Sequence, residues 1–268
     1  MKKILVSNDD GIRAEGISKL VSRLSEKAEV YICAPDGQRS AAGQSITAFK
    51  GLTAREVSYP GAKLAFETSG TPADCVKLGI YLCRKKGIEI DCVFSGINHG
   101  GNLGTDVFYS GTVAAAREGC FCGKPSVAVS MCSIEPKNFD FAAGLALAVF
   151  ESMQGKLPPQ TILNINVPDI PNEEIRGVKY LKTGHRRYEE GFLETEDENG
   201  EIRYSYRSEI VRLEENEKNA GTDILGVQDG YAVITPLAYD TTDYGMLEEV
   251  RRWRAEDILR GCGGPSEL

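Results

Sequence analysis

Two adjacent carboxylates close an apolar run near the N-terminus, in Ile4-Leu5-Val6-Ser7-Asn8-Asp9-Asp10-Gly11. Carboxylates this close repel each other unless a cation or a proton neutralises them. Read as a site, Asp9 and Asp10 are hard oxygen ligands, which select Mg2+, Mn2+ or Ca2+. Read as local structure, Asp-Asp-Gly is a turn leading into a helix whose N-terminus favours acids. Two other polar, glycine-bearing loops tilt the choice towards a site. One spans 35–51 and contains Ser40; the other spans 96–112 and contains Asn98, and each could add a neutral oxygen. The second loop also carries five glycines, which let backbone approach a ligand closely. It ends in Ser110-Gly111-Thr112 at the head of an Ala-rich segment. A helix N-terminus with free N–H groups and hydroxyls can receive a phosphate, or it can be an ordinary capped helix. Beside a cation site the phosphate reading is preferred. His99 is a general acid or a loop-lining residue, and His185 reads as surface.

These loops need a scaffold that brings them to one rim. Residues 3–8 read as a buried strand, 14–27 as a helix with Ile17, Leu20, Val21 and Leu24 at helical spacing, and 30–34 as a second strand. Short β-α-β connections imply a parallel sheet covered on both faces. In such a sheet ligands bind beyond the carboxyl ends of the strands, where all three loops lie. Further strands are expected at 52–58, 63–68, 91–95, 127–131 and 161–168. Helices are expected from 72, over 111–122 and over 139–153. Thr71-Pro72-Ala73-Asp74 carries the N-cap, N1 proline and capping-box acid of the first of these. After about residue 175 the style changes. Residues 188–207 form a polar arm with an Asn199-Gly200 type I′ hairpin signal and an apolar stripe of Ile202, Tyr204 and Tyr206. A strand follows at 231–235, and a last helix over 244–260 carries Met246, Leu247, Val250, Trp253, Ile258 and Leu259. The tail 261–268 reads as mobile. The expectation is an α/β fold, a Rossmann-like mostly parallel sheet with helices on both faces, plus a C-terminal hairpin arm and helix. Its core is 1–175 and its extension 176–268.

Composition narrows the class. The chain has 268 residues, 41% hydrophobic and 26% charged, which is a soluble globular balance. No run nears the ~20 apolar residues of a membrane span. The N-terminal apolar stretch is too short for a signal peptide, so a cytoplasmic protein is expected. With 31 basic and 39 acidic residues, a net charge of −8 and no basic run, extended nucleic acid is disfavoured. The eight cysteines are then expected to be reduced, and Cys120-Phe121-Cys122 lacks zinc-pair spacing. The P-loop, the Gly-x-Gly-x-x-Gly dinucleotide motif and the Gly-x-Ser-x-Gly elbow are all absent.

The chain resembles the SurE family, the stationary-phase survival proteins that are metal-dependent 5′-nucleotidases. The resemblance rests on residues 4–11, Ala34-Pro35-Asp36 with Ser40 and Ser45, Ser69 to Val76, the whole Ser95–Gly119 stretch, Asn164 to Pro168 and Thr235-Pro236-Leu237. It implies a Rossmann-like core with a C-terminal extension used in oligomerisation. It also implies hydrolysis of nucleoside 5′-monophosphates with one divalent cation per subunit, Mg2+ or Mn2+. The implied metal ligands are Asp9, Asp10, Ser40 and Asn98. Asn102 and Ser110-Gly111-Thr112 match the phosphate-side loop, and Asn98 also faces substrate. On this reading Asp9 or Asp10 orients or deprotonates the attacking water, which makes both catalytic. The implied partners are the nucleotide and a second or fourth copy of the chain, as homodimer or homotetramer. Rival readings are a non-enzymatic nucleotide sensor, or a phosphatase of sugar phosphates or short polyphosphate.

Overall fold

The computed structural model describes residues 1–213, 219–255 and 257, with backbone alone at 190 and 206–209. By compactness the chain divides into Met1–Leu237 and Ala238–Leu268. The larger unit opens with β1 (Lys3–Ser7), α1 (Glu15–Leu24) and β2 (Glu29–Pro35), then β3 (Ala54–Val57), β4 (Ala62–Thr68) and α2 (Pro72–Lys85). It continues through β5 (Cys92–His99), α3 (Gly111–Phe121), β6 (Ser126–Met131), α4 (Asp140–Ser152) and β7 (Thr161–Val167). The remaining elements are β8 (Val178–Tyr180), β9 (Tyr188–Glu196), β10 (Ile202–Ile210), α5 (Asp223–Gln228), β11 (Ala232–Ala238) and α6 (Leu247–Arg252).

Nine strands form one sheet in the order β3-β4-β2-β1-β5-β6-β7-β11-β8. Pairing is parallel from β4 through β2, β1, β5 and β6 to β7, and the β3 edge is antiparallel. The central strands read as apolar runs because both of their faces are covered. On one face Ile4, Val6, Val129 and Ile165 pack under α1 and α4; on the other Leu5, Cys33 and Val93 pack under α2 and α3. Chain direction reverses between β1 and β5: β1 leads through α1 to β2 on one side, and β5 through α3 to β6 on the other. That reversal opens a crevice above the two strand ends, where the Asp9-Asp10 and Asn98 loops emerge.

Several local expectations hold at the residue level. Thr71 accepts from the Asp74 N–H, and the Asp74 carboxylate accepts from the Thr71 N–H, so the capping box is complete. Asp74 also accepts from the backbone and hydroxyl of Thr47, which pins the 35–51 loop to the head of α2. Others need correction. The strand expected at 91–95 runs on to His99, because pairing with β6 resumes at Asn98 and His99 after a break at the cis Gly96–Ile97 bond. The hairpin turn is not type I′. Gly200 alone has positive φ there, and its N–H donates to Asp197 O, a type I turn followed by a left-handed glycine. Within the helix expected over 244–260, the structure shows Leu247–Arg252, a break at Trp253 and Arg254 where Arg254 has φ +48°, and helical backbone again at 255 and 257; it starts late because Asp243 Oδ1 accepts from the Met246 N–H in a preceding turn. Strand β8 and helix α5 were not foreseen: three residues and six are too short for a periodicity signal. The Tyr206 side chain, Ile258, Leu259, Cys262 and the 261–268 tail lie outside the described residues.

Helix α1 lies on β5 at backbone contact. A Cβ on Gly16 would sit 1.9 Å from Ile97 O. Gly16→Ala must therefore lift the helix off the strand that carries Asn98. The expected cost is about 3 kcal/mol of stability, read as a shifted urea midpoint at unchanged slope. An unchanged midpoint would refute this contact.

Candidate active site

The Asp-Asp-Gly turn is not a helix cap. Helix α1 begins at Glu15 with Ala14 as N-cap and no side-chain cap, so the capping alternative fails. The turn is closed by Asn8 Nδ2, which donates to Gly11 O at 2.9 Å. Gly11 has φ +100° and backs onto Gly37, where an added Cβ would lie 3.1 Å from the carbonyl carbon. The Arg39 N–H donates to Asp9 O at 2.7 Å, so the residue before Ser40 is tied to the acidic turn.

Asp9 is buried beneath the head of α3. The Thr112 hydroxyl donates to Asp9 Oδ1 at 2.5 Å. A Cβ on Gly111 would stand 2.8 Å from both Cβ and Oδ2 of Asp9. Glycine at 111 is therefore what lets the first turn of α3 sit on the carboxylate. Asp10 is less buried, and its Oδ2 accepts from the His99 N–H at 3.2 Å, which links the ends of β1 and β5. Asn98 Nδ2 donates to Gly100 O at 2.7 Å, turning its Oδ1 the other way.

Electrostatics mark the pair as unfinished by protein alone. Burial pushes the Asp9 carboxyl up to about 6, with the Asp10 charge adding to the rise and the Thr112 hydrogen bond opposing it. Burial also raises Asp10, and His99 opposes that rise. Asn8 Oδ1 is buried beside them and finds no hydrogen-bond partner among the described residues. Two desolvated carboxylates are hard oxygen donors, which suit Mg2+ or Mn2+ and not a thiophilic ion. No group of three or more His, Cys, Asp or Glu fit to hold a metal occurs among the described residues.

The remaining expected residues divide. Gly111 and Thr112 touch Asp9 directly. Ser110 accepts from the Val113 N–H at 3.0 Å, so its hydroxyl caps its own helix. Ser40 is exposed and accepts from Gln38 Nε2 at 2.9 Å. Asn102 is buried in a network that the sequence reading missed. Its Nδ2 donates to Ser130 Oγ at 2.8 Å, its N–H donates to Asn166 Oδ1, and its carbonyl accepts from Asn164 and Asn166. The available signal was Asn164-Ile165-Asn166, two polar side chains on one face of an otherwise apolar strand. The His99 ring packs on Phe139 with centroids 5.4 Å apart, and its Nε2 has no partner among the described residues. The 35–51 loop reaches the third loop too, since the Gly43 N–H donates to Tyr109 O at 3.0 Å. All three loops thus share the rim above β1 and β5.

Comparison with known proteins gives the same pattern of residues a family. Residues 4–190 match the family model described as survival protein SurE. A 5′-nucleotidase SurE from Pelotomaculum thermopropionicum is 44% identical over 93% of this chain and 94% of its own length. One from Petrotoga mobilis is 41% identical over 93% of this chain and 98% of its own. The crystal structure of the SurE protein from Aquifex aeolicus superposes with a TM-score of 0.80 at 34% identity, covering 94% of this chain and 99% of that one. With the acidic turn, the glycine-rich loop and the head of α3 all inside the matched region, this chain belongs to the SurE family.

Proposed function

We propose that the protein is a divalent-metal-dependent 5′-nucleotidase, hydrolysing nucleoside 5′-monophosphates to nucleoside and phosphate. The observation that carries this is the seating of α3 on Asp9, which sets two desolvated carboxylates beside a helix N-terminus. Asp9, Asp10 and Asn98 would hold the cation, with Ser40 completing the set from the neighbouring loop. When bound, a divalent cation neutralises phosphoryl oxygens and lowers the pKa of water. Thr112 fixes the Asp9 carboxylate, and the His99 N–H fixes Asp10, so neither has to reorganise during reaction. One of the two carboxylates orients the attacking water and takes its proton. Asn98 and the N–H groups around Gly111 face the phosphoryl oxygens, where charge develops in the transition state. Asn102 acts by holding the loop. No helix among the described residues is long and apolar enough to cross a membrane. The seven cysteines among the described residues are free, which fits a reducing, cytoplasmic setting.

The purified protein should release phosphate from nucleoside monophosphates with Mg2+ or Mn2+ and stop on chelation. Asp9→Asn should abolish that release while the fold survives. A nucleotide sensor would bind without turnover, and a sugar phosphatase would prefer a baseless ester.

The raised Asp9 pKa also makes a stability claim. The folded form holds this proton more tightly than the unfolded chain. The resulting contribution is full below about 3.8 and is lost as pH rises through about 6. At pH 7 without metal the ionised carboxylate costs up to about 3 kcal/mol. Metal-free Asp9→Asn should therefore melt several degrees above the parent at pH 7, with the gain shrinking towards pH 4. A gain independent of pH would sink the assignment.

Gly111→Ala should push Asp9 from its seat. Half-maximal activation should then need about tenfold more metal, with kcat also reduced. Unchanged metal activation would overturn the contact as the reason for glycine there.

The extension from residue 176 is proposed to serve assembly, as a homodimer or homotetramer. In the arm Phe192, Ile202, Tyr204 and Ile210 are all more than half exposed. The β9–β10 register puts them on one face, and a two-stranded ribbon alone is marginal in water. In the smaller unit Val250 and Trp253 are also exposed. Light scattering should give a mass of two or four chains, reduced by deleting 188–207 or 244–268. A fully active monomer at micromolar concentration would refute this.

A further inference from the structure

The 101–106 segment of the glycine-rich loop is gripped from a second side, by the residues that lead into the arm. Asp223, at the start of α5, has no exposed surface. Its Oδ2 accepts from the Gly104 N–H at 2.8 Å, and its Oδ1 accepts from the Gly184 N–H at 2.8 Å and the Ile224 N–H at 2.9 Å. One carboxylate thus joins three segments far apart in sequence. Both glycines stand in close packing. A Cβ on Gly104, which has φ +55°, would lie 3.0 Å from Arg186 N and from Gly184 O. A Cβ on Gly184 would lie 2.9 Å from Ile224 Cδ1. A second tie runs parallel to the first. Arg186 Nη1 donates to Asp106 Oδ2 at 2.9 Å, and the Tyr188 hydroxyl donates to the same oxygen at 2.6 Å. Both members of the ion pair are largely buried, at 12% and 17% exposure, where screening by water is weak.

We propose that Asp223 is a positioning residue for the nucleotidase reaction. With the Asp106–Arg186 pair, it locks the 101–106 loop to the arm root at 184–188. This rests on the nucleotidase reading of the site. The ties begin two residues beyond Asn102, whose backbone is already fastened to β7 by Asn164 and Asn166. The loop is therefore clamped between the sheet and the arm root, and the second clamp holds the approach from Asn98 to the head of α3. A carboxylate suits the task because both oxygens accept and neither donates. Asparagine would turn an N–H2 towards one of the backbone N–H groups. The chain leaves this root directly into β9, so whatever holds the arm also bears on the loop.

Asp223→Asn, Arg186→Gln and the double variant test the idea, in the full-length protein with Mn2+ and a nucleoside monophosphate. Each single variant should lower kcat about tenfold or more, because small misplacements near a reacting phosphate are costly. Mn2+ binding by titration calorimetry should be unchanged, since Asp9 and Asp10 are untouched. The double variant should lose less than the product of the singles, as two ties on one loop are coupled. Amide exchange in peptides covering 100–106 should speed up in each variant, while peptides from β1 and β6 keep their protection. A purely structural role predicts uniform loss of protection and an unchanged kcat per folded molecule, and that result overturns the proposal. If Asp223→Asn does not fold, Arg186→Gln decides by the same kinetic and exchange readouts. A wild-type protein that binds Mn2+ but hydrolyses no nucleotide overturns the nucleotidase reading. The exchange measurement would still show whether these residues hold the loop.

Discussion

The structure depends on a buried carboxylate that the protein alone does not neutralise. Asp9 sits at the end of a fully buried strand, next to another acid, under the first turn of a helix. In low dielectric such a group is tolerable if it is protonated or paired with a cation. The surrounding protein gives it a hydroxyl from Thr112 and the partial positive charge of the α3 N-terminus, and these only partly offset desolvation. Much of the local packing follows from keeping that arrangement closed. Glycine at 111 admits the helix, glycine at 11 admits the 35–51 loop, and the Arg39 N–H takes up the Asp9 carbonyl.

The same frame accounts for the network around Asn102. A loop that passes over the ends of β5 and β6 cannot leave its backbone groups unpaired once buried. Ser130, Asn164 and Asn166 supply the partners on the sheet side, and Asp223 supplies them on the arm side. These side chains form a polar layer within an otherwise apolar sheet. Because its members are buried, each displaced bond costs a desolvated N–H or C=O, and the loop has one well-determined path.

The arm differs in kind. Its two strands pair through nine register positions with each other, and Ile202, Tyr204 and Ile210 are each more than half exposed. Its root is fixed by Tyr188 and Arg186 on Asp106.

What the amino-acid sequence alone determined were the features with short-range causes. Apolar runs bounded by turn residues located the core strands. The Thr71-Pro72-Ala73-Asp74 signature placed the head of α2, and Ser110-Gly111-Thr112 the head of α3. The convergence of three loops followed from strand direction, since every loop after a parallel strand emerges at the same edge. Tertiary structure decided the rest, because the partners are distant in the chain. It ruled out Asp9 as a cap, since only the fold shows that α1 begins at Glu15 and that the head of α3 covers the carboxylate. It committed the Asn102 amide to Ser130 and the Ser110 oxygen to capping its own helix, and it extended β5 to His99 through pairing with β6. It also gave Asp223 its place: one acid in a six-residue helix carries no local signal, and its meaning lies in two backbone N–H groups, one of them 119 residues away. Periodicity and capping are written within a few residues of where they act, whereas burial and hydrogen-bond partnership belong to the folded chain as a whole.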